Sequence, residues 1–172
     1  MQYNSDIHHR QSSRLSEYDY SQRGLYFITI CTHNQQHIFG KVTISQEISL
    51  SKGGIMAKIF WEKIPQHYTH ITLKSFIIMP NHIHGILQIQ QNTNNDRSSH
   101  HFQKTLPNSI GSIVRGYKIA VTKWFRSHTD IHTIWQKNYH DHIIRDENAL
   151  LNISNYIINN PKKWREDRFF TK

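Results

Sequence analysis

The sequence predicts an α+β domain in which an antiparallel sheet carries helices on one of its faces. Short runs of β-branched and aromatic residues recur along the chain, and two of them are separated only by a Pro-Asn turn. Two longer stretches repeat apolar residues at helical spacing. A chain of 172 residues is long enough for one domain with a real core.

The first half of the chain supplies most of the strands. A polar, basic segment, residues 1–23, is expected to form an arm before a single domain of residues 24–172. β-branched and aromatic residues are typical of strands. We therefore predict strands over 25–31, 38–44, 73–79 and 83–89, and a helix from about residue 55 to Pro65. Because only Pro80-Asn81 separates the last two strands, they should form an antiparallel hairpin.

The second half supplies the longer helices. Residues 90–105 are polar and of low complexity and should form a mobile loop. A helix should begin near Ser109, because apolar residues then recur at i, i+3, i+4 and i+7 with basic residues on the other side. We predict short extended pieces over 131–134 and 142–144, a last helix over 147–160, and a basic tail after Pro161. This order of elements predicts a ferredoxin-like or RRM-like sandwich whose second sheet face is open.

The charge of the chain favours a polyanionic partner, with nucleic acid first. The chain has 21 Lys+Arg against 12 Asp+Glu, a formal net charge of +9, which is typical of such binding. The single cysteine, Cys31, excludes internal disulfides and Cys-rich zinc sites and is expected to be inert core. No run is long enough for a membrane span, and the polar start lacks the apolar part of a signal peptide. The sequence therefore predicts a cytoplasmic protein.

Two histidines open the strand that follows Pro80-Asn81. Because side chains alternate between the two faces of a strand, His82 and His84 should point to the same face, where two imidazoles can hold one divalent metal. The spacing alone is weak evidence, since 14 histidines give roughly one such pair by chance. His140 and His142 repeat the spacing in a polar stretch, and we expect them to be ordinary surface residues.

The last helix carries Tyr156 at the border of its apolar stripe. At about 100° per residue, Tyr156 and Asn160 are neighbours on the polar flank, as an i, i+4 pair. A tyrosine with its hydroxyl in water is the common case at such a position. The alternative is a nucleophile whose helix partner Asn160 offers a carbonyl oxygen to the metal of the two histidines.

Four ordered blocks of the chain resemble the REP-associated tyrosine transposases. These are chromosomal relatives of the single-tyrosine HUH transposases, named after a histidine-hydrophobic-histidine motif. The resemblance runs from about Arg14 to Trp164, nearly the whole chain. Its blocks are residues 79–85 (MPNHIHG), 113–118 (IVRGYK), 135–139 (WQKNY) with 142–147 (HIIRDE), and 156–161 (YIINNP).

The resemblance implies a metal-dependent DNA strand transferase with an additional C-terminal helix that carries the nucleophile. His82 and His84 match the metal-binding pair, Tyr156 matches the nucleophile, and Asn160 matches a residue, often glutamine, that completes the metal site. The metal would be Mg²⁺ or Mn²⁺. Tyrosine attack would give a 5′-phosphotyrosine and a free 3′ end. Tyr139, close to the second histidine pair, is the rival nucleophile.

The implied partner is single-stranded or hairpin DNA, because the family is associated with short palindromic repeats that fold as hairpins beside a guide tetranucleotide. The resemblance also implies that the protein is nucleoid-associated and is a monomer or a homodimer. The residues that could contact phosphates are His8, His9, Arg10, Arg14, Arg115, Lys118, Lys162 and Lys163.

Two alternatives stay open at the level of the sequence. The first is a non-catalytic single-strand binding module of the same fold, which predicts aromatic residues on the exposed strand faces. The second is a metal-dependent phosphodiesterase that uses water. That enzyme would keep its cleavage activity in Tyr156→Phe and would form no covalent adduct.

Overall fold

The computed structural model describes residues 18–90 and 108–171. Within them the chain forms six strands, four helices and two 3₁₀ turns, His33–Gln35 and Trp164–Glu166. The strands are β1 (Gly24–Cys31), β2 (Gly40–Val42), β3 (Ile48–Leu50), β4 (Ile71–Ile78), β5 (His82–Ile89) and β6 (His140–Ile144). The helices are α1 (Lys52–Glu62), α2 (Ile64–His67), α3 (Ile110–His128) and α4 (Glu147–Asn159).

The main sheet is antiparallel and has four strands in the order β4-β5-β1-β6. β2 and β3 pair with each other as a separate hairpin. The predicted α+β class, with an antiparallel sheet and helices packed against it, is confirmed. The predicted hairpin around Pro80-Asn81 is confirmed as well, since β4 and β5 pair antiparallel on either side of it.

One face of the sheet packs against α1 and α3 and forms the main core. The apolar stripe of α3 supplies Ile113, Val114, Tyr117, Val121 and Phe125, all of which are buried. On the strand side, Gly85 is required for a close approach, because a Cβ there would lie 2.3 Å from Cζ2 of Trp61. Trp61 is fully buried. The glycine therefore lets the largest side chain of α1 lie directly against β5.

The opposite face was predicted to be open, and this prediction is wrong around β5. A second apolar cluster lies there, built on Ile86, Ile144 and Ile157 of α4. Ile86 points to the same face as His82 and His84 because it follows them at the strand period of two. An uncovered face would leave Ile86 and Ile144 in water, and α4 buries them instead.

Several boundaries differ from the predictions. The strand predicted over 38–44 is only Gly40–Val42, and its partner β3 is too short to give a sequence signal. The helix predicted from residue 55 begins at Lys52, because the Ser51 hydroxyl accepts a hydrogen bond from the Gly54 amide and caps it. The extended piece predicted over 131–134 is not a strand. An isolated bridge between Thr32 and Trp135 follows it.

Two predicted segments lie wholly or partly beyond what the structure describes. Residues 1–17 of the arm and 91–105 of the polar loop fall outside the described residues. The described end of the arm lies against the core, where the rings of Tyr18 and Tyr20 contact Tyr26. In the ranges 18–90 and 108–171, no helix combines the length and apolar character that crossing a bilayer requires.

Candidate active site

The histidine pair lies at the start of β5, on the sheet face that α4 covers. The β1–β5 register pairs His82 with Cys31 and His84 with Thr29. Both imidazoles therefore point to the same face, with ring centroids 4.4 Å apart. Their side chains are 0% and 1% exposed. Phe169 contributes to this burial, because its ring centroid lies 4.7 Å from that of His82.

Hydrogen bonds orient both imidazoles through their Nδ1 atoms. The Asn81 side-chain amide donates to the carbonyls of Phe169 (2.7 Å) and Gln35 (3.2 Å). Its oxygen therefore faces His82 Nδ1, 2.9 Å away, and accepts the proton of that nitrogen. This leaves His82 Nε2 as a lone-pair donor, buried and without a hydrogen-bond partner among the described residues. Thr29 Oγ1 lies 2.8 Å from His84 Nδ1 and can fix His84 in the same way.

Tyr156 of α4 reaches this histidine pair across 72 residues of sequence. Its hydroxyl lies 3.2 Å from His84 Nε2 and donates a hydrogen bond to Asp167 Oδ2 at 3.0 Å. The side chain is 41% exposed, so it is open to solvent where the histidines are not. Burial of the hydroxyl, together with the charge and hydrogen bond of Asp167, raises the pKa of Tyr156 to about 12. The phenol is therefore protonated near neutral pH.

Asp167 is the site residue that the sequence predictions missed. It follows the 3₁₀ turn after α4, and its Oδ2 accepts hydrogen bonds from both Tyr156 and the Asn160 amide, the latter at 2.7 Å. Its Oδ1 accepts from the Phe169 backbone amide at 2.7 Å. The sequence predicts only a basic tail over this segment. The signal that could have found Asp167 is the aromatic pair Phe169-Phe170 directly after the acid, which is unusual for a solvated tail.

The donor set fits a divalent metal ion. Ligand atoms of His82, His84 and Asp167 all lie within 4.8 Å of one another. Asn160, the residue predicted to complete the site, is 1% exposed, and its Oδ1 has no hydrogen-bond partner among the described residues. Buried polar atoms are rarely left unpaired, so Asn160 Oδ1 and His82 Nε2 are both available as ligands to a cation.

Both imidazoles are in the protonation state that metal ligation needs. Burial, with a smaller contribution from the charge of Arg168, lowers the pKa of His82 to about 3. Burial and the neighbouring His82 hold the pKa of His84 well below its usual value. The two rings are therefore neutral at neutral pH, and neutral imidazole is the form that binds metal.

The second histidine pair and the rival tyrosine lie apart from this cluster. The β1–β6 register pairs His140 with Thr29 and His142 with Phe27. They thus share the sheet face of His84, two strands away, and both are exposed. Neither belongs to a group that could hold a metal ion among the described residues. Tyr139 precedes β6 and lies on a groove beside α3.

The predicted phosphate-contacting residues fall into three groups. Lys162 and Lys163 line a cleft of about 540 Å³ together with Tyr156 and Asp167. Arg115 and Lys118 line the groove along α3. Lys118 donates to the carbonyls of Gln136 and Asn138, and burial lowers its pKa to about 8. The remaining four, His8, His9, Arg10 and Arg14, lie outside the described residues.

Comparison with known proteins gives close and distant relatives. No family model matches the chain. A Haemophilus influenzae protein named only as uncharacterized is 42% identical over an alignment of 175 positions, which spans 98% of this chain and 97% of that protein, so the two belong to one family. A second Haemophilus influenzae protein, provisionally named a REP-associated tyrosine transposase, is 27% identical over 146 residues, 84% of this chain and 74% of that protein.

Among solved structures, a REP-associated tyrosine transposase bound to a REP hairpin superposes on the chain with a TM-score of 0.57. The superposition covers 87% of this chain and 74% of that one, at 21% sequence identity. At this identity the match shows a shared fold, including the four-stranded antiparallel sheet with helices packed on it.

Proposed function

This chain has the fold of the REP-associated tyrosine transposases, and on that premise we propose that it cuts and rejoins single-stranded DNA through Tyr156. The observation that carries the proposal is the 3.2 Å contact between the Tyr156 hydroxyl and His84 Nε2. The Tyr156 ring packs edge-on against Phe27, but this packing does not require the hydroxyl to lie at a buried histidine pair. A tyrosine nucleophile beside a metal site does require it.

The proposal includes a divalent ion, Mg²⁺ or Mn²⁺, at the histidine pair. His82 and His84 would supply nitrogen, while Asn160 Oδ1 and the Asp167 carboxylate offer oxygen. Hard divalent ions accept such oxygen donors and commonly keep open positions for phosphate and water. Bound there, the ion would supply Lewis acidity and orientation at the scissile phosphate.

The site residues can account for the bonds and the proton transfer of a DNA cleavage step. The Tyr156 oxygen forms a bond to the phosphorus while the bond from phosphorus to the 3′ oxygen breaks. That oxygen leaves as a 3′ hydroxyl after taking a proton from solvent, to which Asp167 returns the phenol proton. The products are a 5′-phosphotyrosine and a free 3′ end. The phenol proton has an acceptor already in hydrogen-bond contact, Asp167 Oδ2 at 3.0 Å. Attack by a second 3′ hydroxyl on the phosphotyrosine reverses the step and joins strands.

The substrate we propose is single-stranded DNA beside a hairpin, which would make the protein work at the nucleoid. The cleft of about 540 Å³ next to Tyr156 is in the size range of small-ligand sites and suits one or two unpaired nucleotides. The amides of Asn152, Asn155 and Asn159 line it and can pair with base edges. Lys162 and Lys163, in the same cleft, can take phosphates.

The test uses hairpin oligonucleotides labelled at either end and incubated with the protein and Mn²⁺, followed by a denaturing gel. A 3′ label should move to protein size, because the downstream fragment carries the phosphotyrosine. A 5′ label should appear as a short free fragment. Both products should disappear in Tyr156→Phe and in His82→Ala, and both should persist in the matched control Tyr139→Phe.

Other outcomes would identify the alternatives. Cleavage that survives in Tyr156→Phe without a labelled protein band indicates hydrolysis by water. Tight binding with no cleavage across several hairpins and metals indicates a binding module. Either result would reject strand transfer through Tyr156.

A further inference from the structure

A groove separate from the Tyr156 site lies along α3. It has a volume of about 630 Å³. One wall is the outer side of α3, and the other is the segment just before β6, with Lys137 and Tyr139. Five basic residues line it, and no acidic side chain of the described residues does: Arg115, Lys118, Lys123, Arg126 and Lys137.

The basic residues of α3 form a stripe along the helix. They occupy positions i, i+3, i+8 and i+11, so at a rise of about 1.5 Å per residue the stripe is about 16 Å long. A DNA strand carries one phosphate per about 3.4 Å of helix axis, so the stripe matches four or five phosphates. The spacing therefore fits a backbone that runs along the helix.

Apolar atoms lie between the cations. Ile119, which is 57% exposed, lines the groove with Val114 and Tyr139. Exposing a large apolar side chain to water costs free energy. It is covered favourably by sugar and base faces when the phosphates lie on the surrounding cations.

The second wall is held against the helix by hydrogen bonds. The Lys118 amine donates to the carbonyls of Gln136 (2.9 Å) and Asn138 (3.0 Å), and the Trp135 indole donates to the Lys118 carbonyl (3.2 Å). Lys118 thus joins the two walls. Arg115, Lys123 and Lys137, all exposed, are the cations best placed to meet a ligand. A groove formed before binding lowers the ordering cost of that binding.

We propose that this groove binds the sugar-phosphate backbone of the DNA substrate outside the cleavage site. The inference rests on the proposed function, since it assigns a second contact surface to the same DNA. The groove lies at the β6 edge of the sheet, and β6 is two strands from β5, a distance of about 10 Å. His140 and His142 are exposed on the opposite sheet face, the face of His84, so a strand from the groove would pass around the β6 edge to reach Tyr156.

The test measures binding without cleavage, in a Tyr156→Phe background. A fluorescent hairpin with a single-stranded extension is titrated at several salt concentrations against the double variant Arg115→Gln/Lys123→Gln. Each lost phosphate contact should reduce the slope of log affinity against log salt by about 0.7–0.9, or about sixfold in affinity at 0.1 M salt. The double variant, which loses two such contacts, should therefore bind about 35-fold more weakly.

The matched control is Lys58→Gln. Lys58 lies on α1, where its amine is 3.8 Å from Glu62 in an ion pair, so the variant loses one positive charge away from the groove. Its salt slope should be unchanged. Thermal unfolding of every variant confirms that each one is folded.

The outcomes separate this inference from the proposed function. If Arg115→Gln/Lys123→Gln binds with the affinity and salt slope of Lys58→Gln, the groove does not bind the substrate and the inference is overturned. If adducts never form with wild-type protein while the groove variants still lose affinity, strand transfer is rejected and the groove assignment stands.

Discussion

Replacing Asp167 with asparagine tests the site most sharply, because the substitution removes one charge and keeps the side-chain shape. Burial and the Asp167 carboxylate together raise the pKa of Tyr156 from 10.0 to about 12. In Asp167→Asn the charge is gone while the burial remains. The pKa of Tyr156 should therefore fall below about 12 and stay above 10.0.

The assay is a titration of the metal-free protein followed by the ultraviolet absorption of phenolate. The chain has 8 tyrosines, so the Tyr156 signal is isolated by subtracting the titration of Tyr156→Phe. Because the pKa of Tyr156 should be lower in Asp167→Asn, its phenolate should appear at lower pH than in the wild type. With Mn²⁺ present, adduct yield should nevertheless fall, since an oxygen donor and the nearest proton acceptor are both lost.

The control is Glu166→Gln, which removes the adjacent acidic charge in the same cleft. The hydrogen bond of the Tyr156 hydroxyl goes to Asp167 and not to Glu166, so the pKa of Tyr156 should move much less than in Asp167→Asn. If both variants leave the pKa of Tyr156 where it is in the wild type, Asp167 does not hold the phenol proton. That result would refute the role of Asp167 as the proton acceptor of the site.

Three further predictions concern metal and stability. Mn²⁺ at about 100 times its Kd should stabilise the protein by about 2.7 kcal/mol and raise Tm by roughly 5–10 °C; an equal rise in His82→Ala would contradict the metal site. Gly85→Ala places a Cβ 2.3 Å from Trp61 and should cost about 1–3 kcal/mol in urea unfolding. Gly24→Ala, where the nearest atom is 3.4 Å away, should cost less, and equal losses would argue against the clash. Ser51→Ala removes a helix cap and a hydrogen bond to the Ile38 carbonyl and should cost about 1 kcal/mol, which Ser51→Thr should restore because its hydroxyl can both accept and donate.

The strands and helices that the sequence predicted share a strong local period. β1, β5, α3 and α4 each carry an uninterrupted pattern of apolar residues, and their bounds fall within a few residues of the predictions. β3 has three residues, which is too short for any pattern to emerge. The prediction of an extended piece at 131–134 depends on two isoleucines alone. In the structure the end of this segment makes one isolated bridge, in which the Ile134 carbonyl accepts from the His33 amide and the Gln136 amide donates to the Cys31 carbonyl, and Trp135 packs against α3.

Local sequence patterns could predict only part of the candidate site. The strand period of two places His82 and His84 on one face, and the helical period places Tyr156 beside Asn160. Those are local rules. Asp167 enters the site because the chain turns after α4 and returns over β5, and this return depends on tertiary contacts of Trp164 and Phe169 with His82. No local period encodes that path.

The covering of the sheet also determines how DNA could approach the histidines. Phe169 and Trp164 lie against the ring of His82, and α4 packs over β4 and β5, so these sides of the pair are closed. Tyr156 and Asp167 line the neighbouring cleft, and Tyr156 is 41% exposed while His84 is 1% exposed. A phosphate entering by this cleft would meet Tyr156 before it meets the histidines. On the proposed function, the amides and lysines of the cleft wall would then be the first groups to contact the nucleotides on either side of the cut.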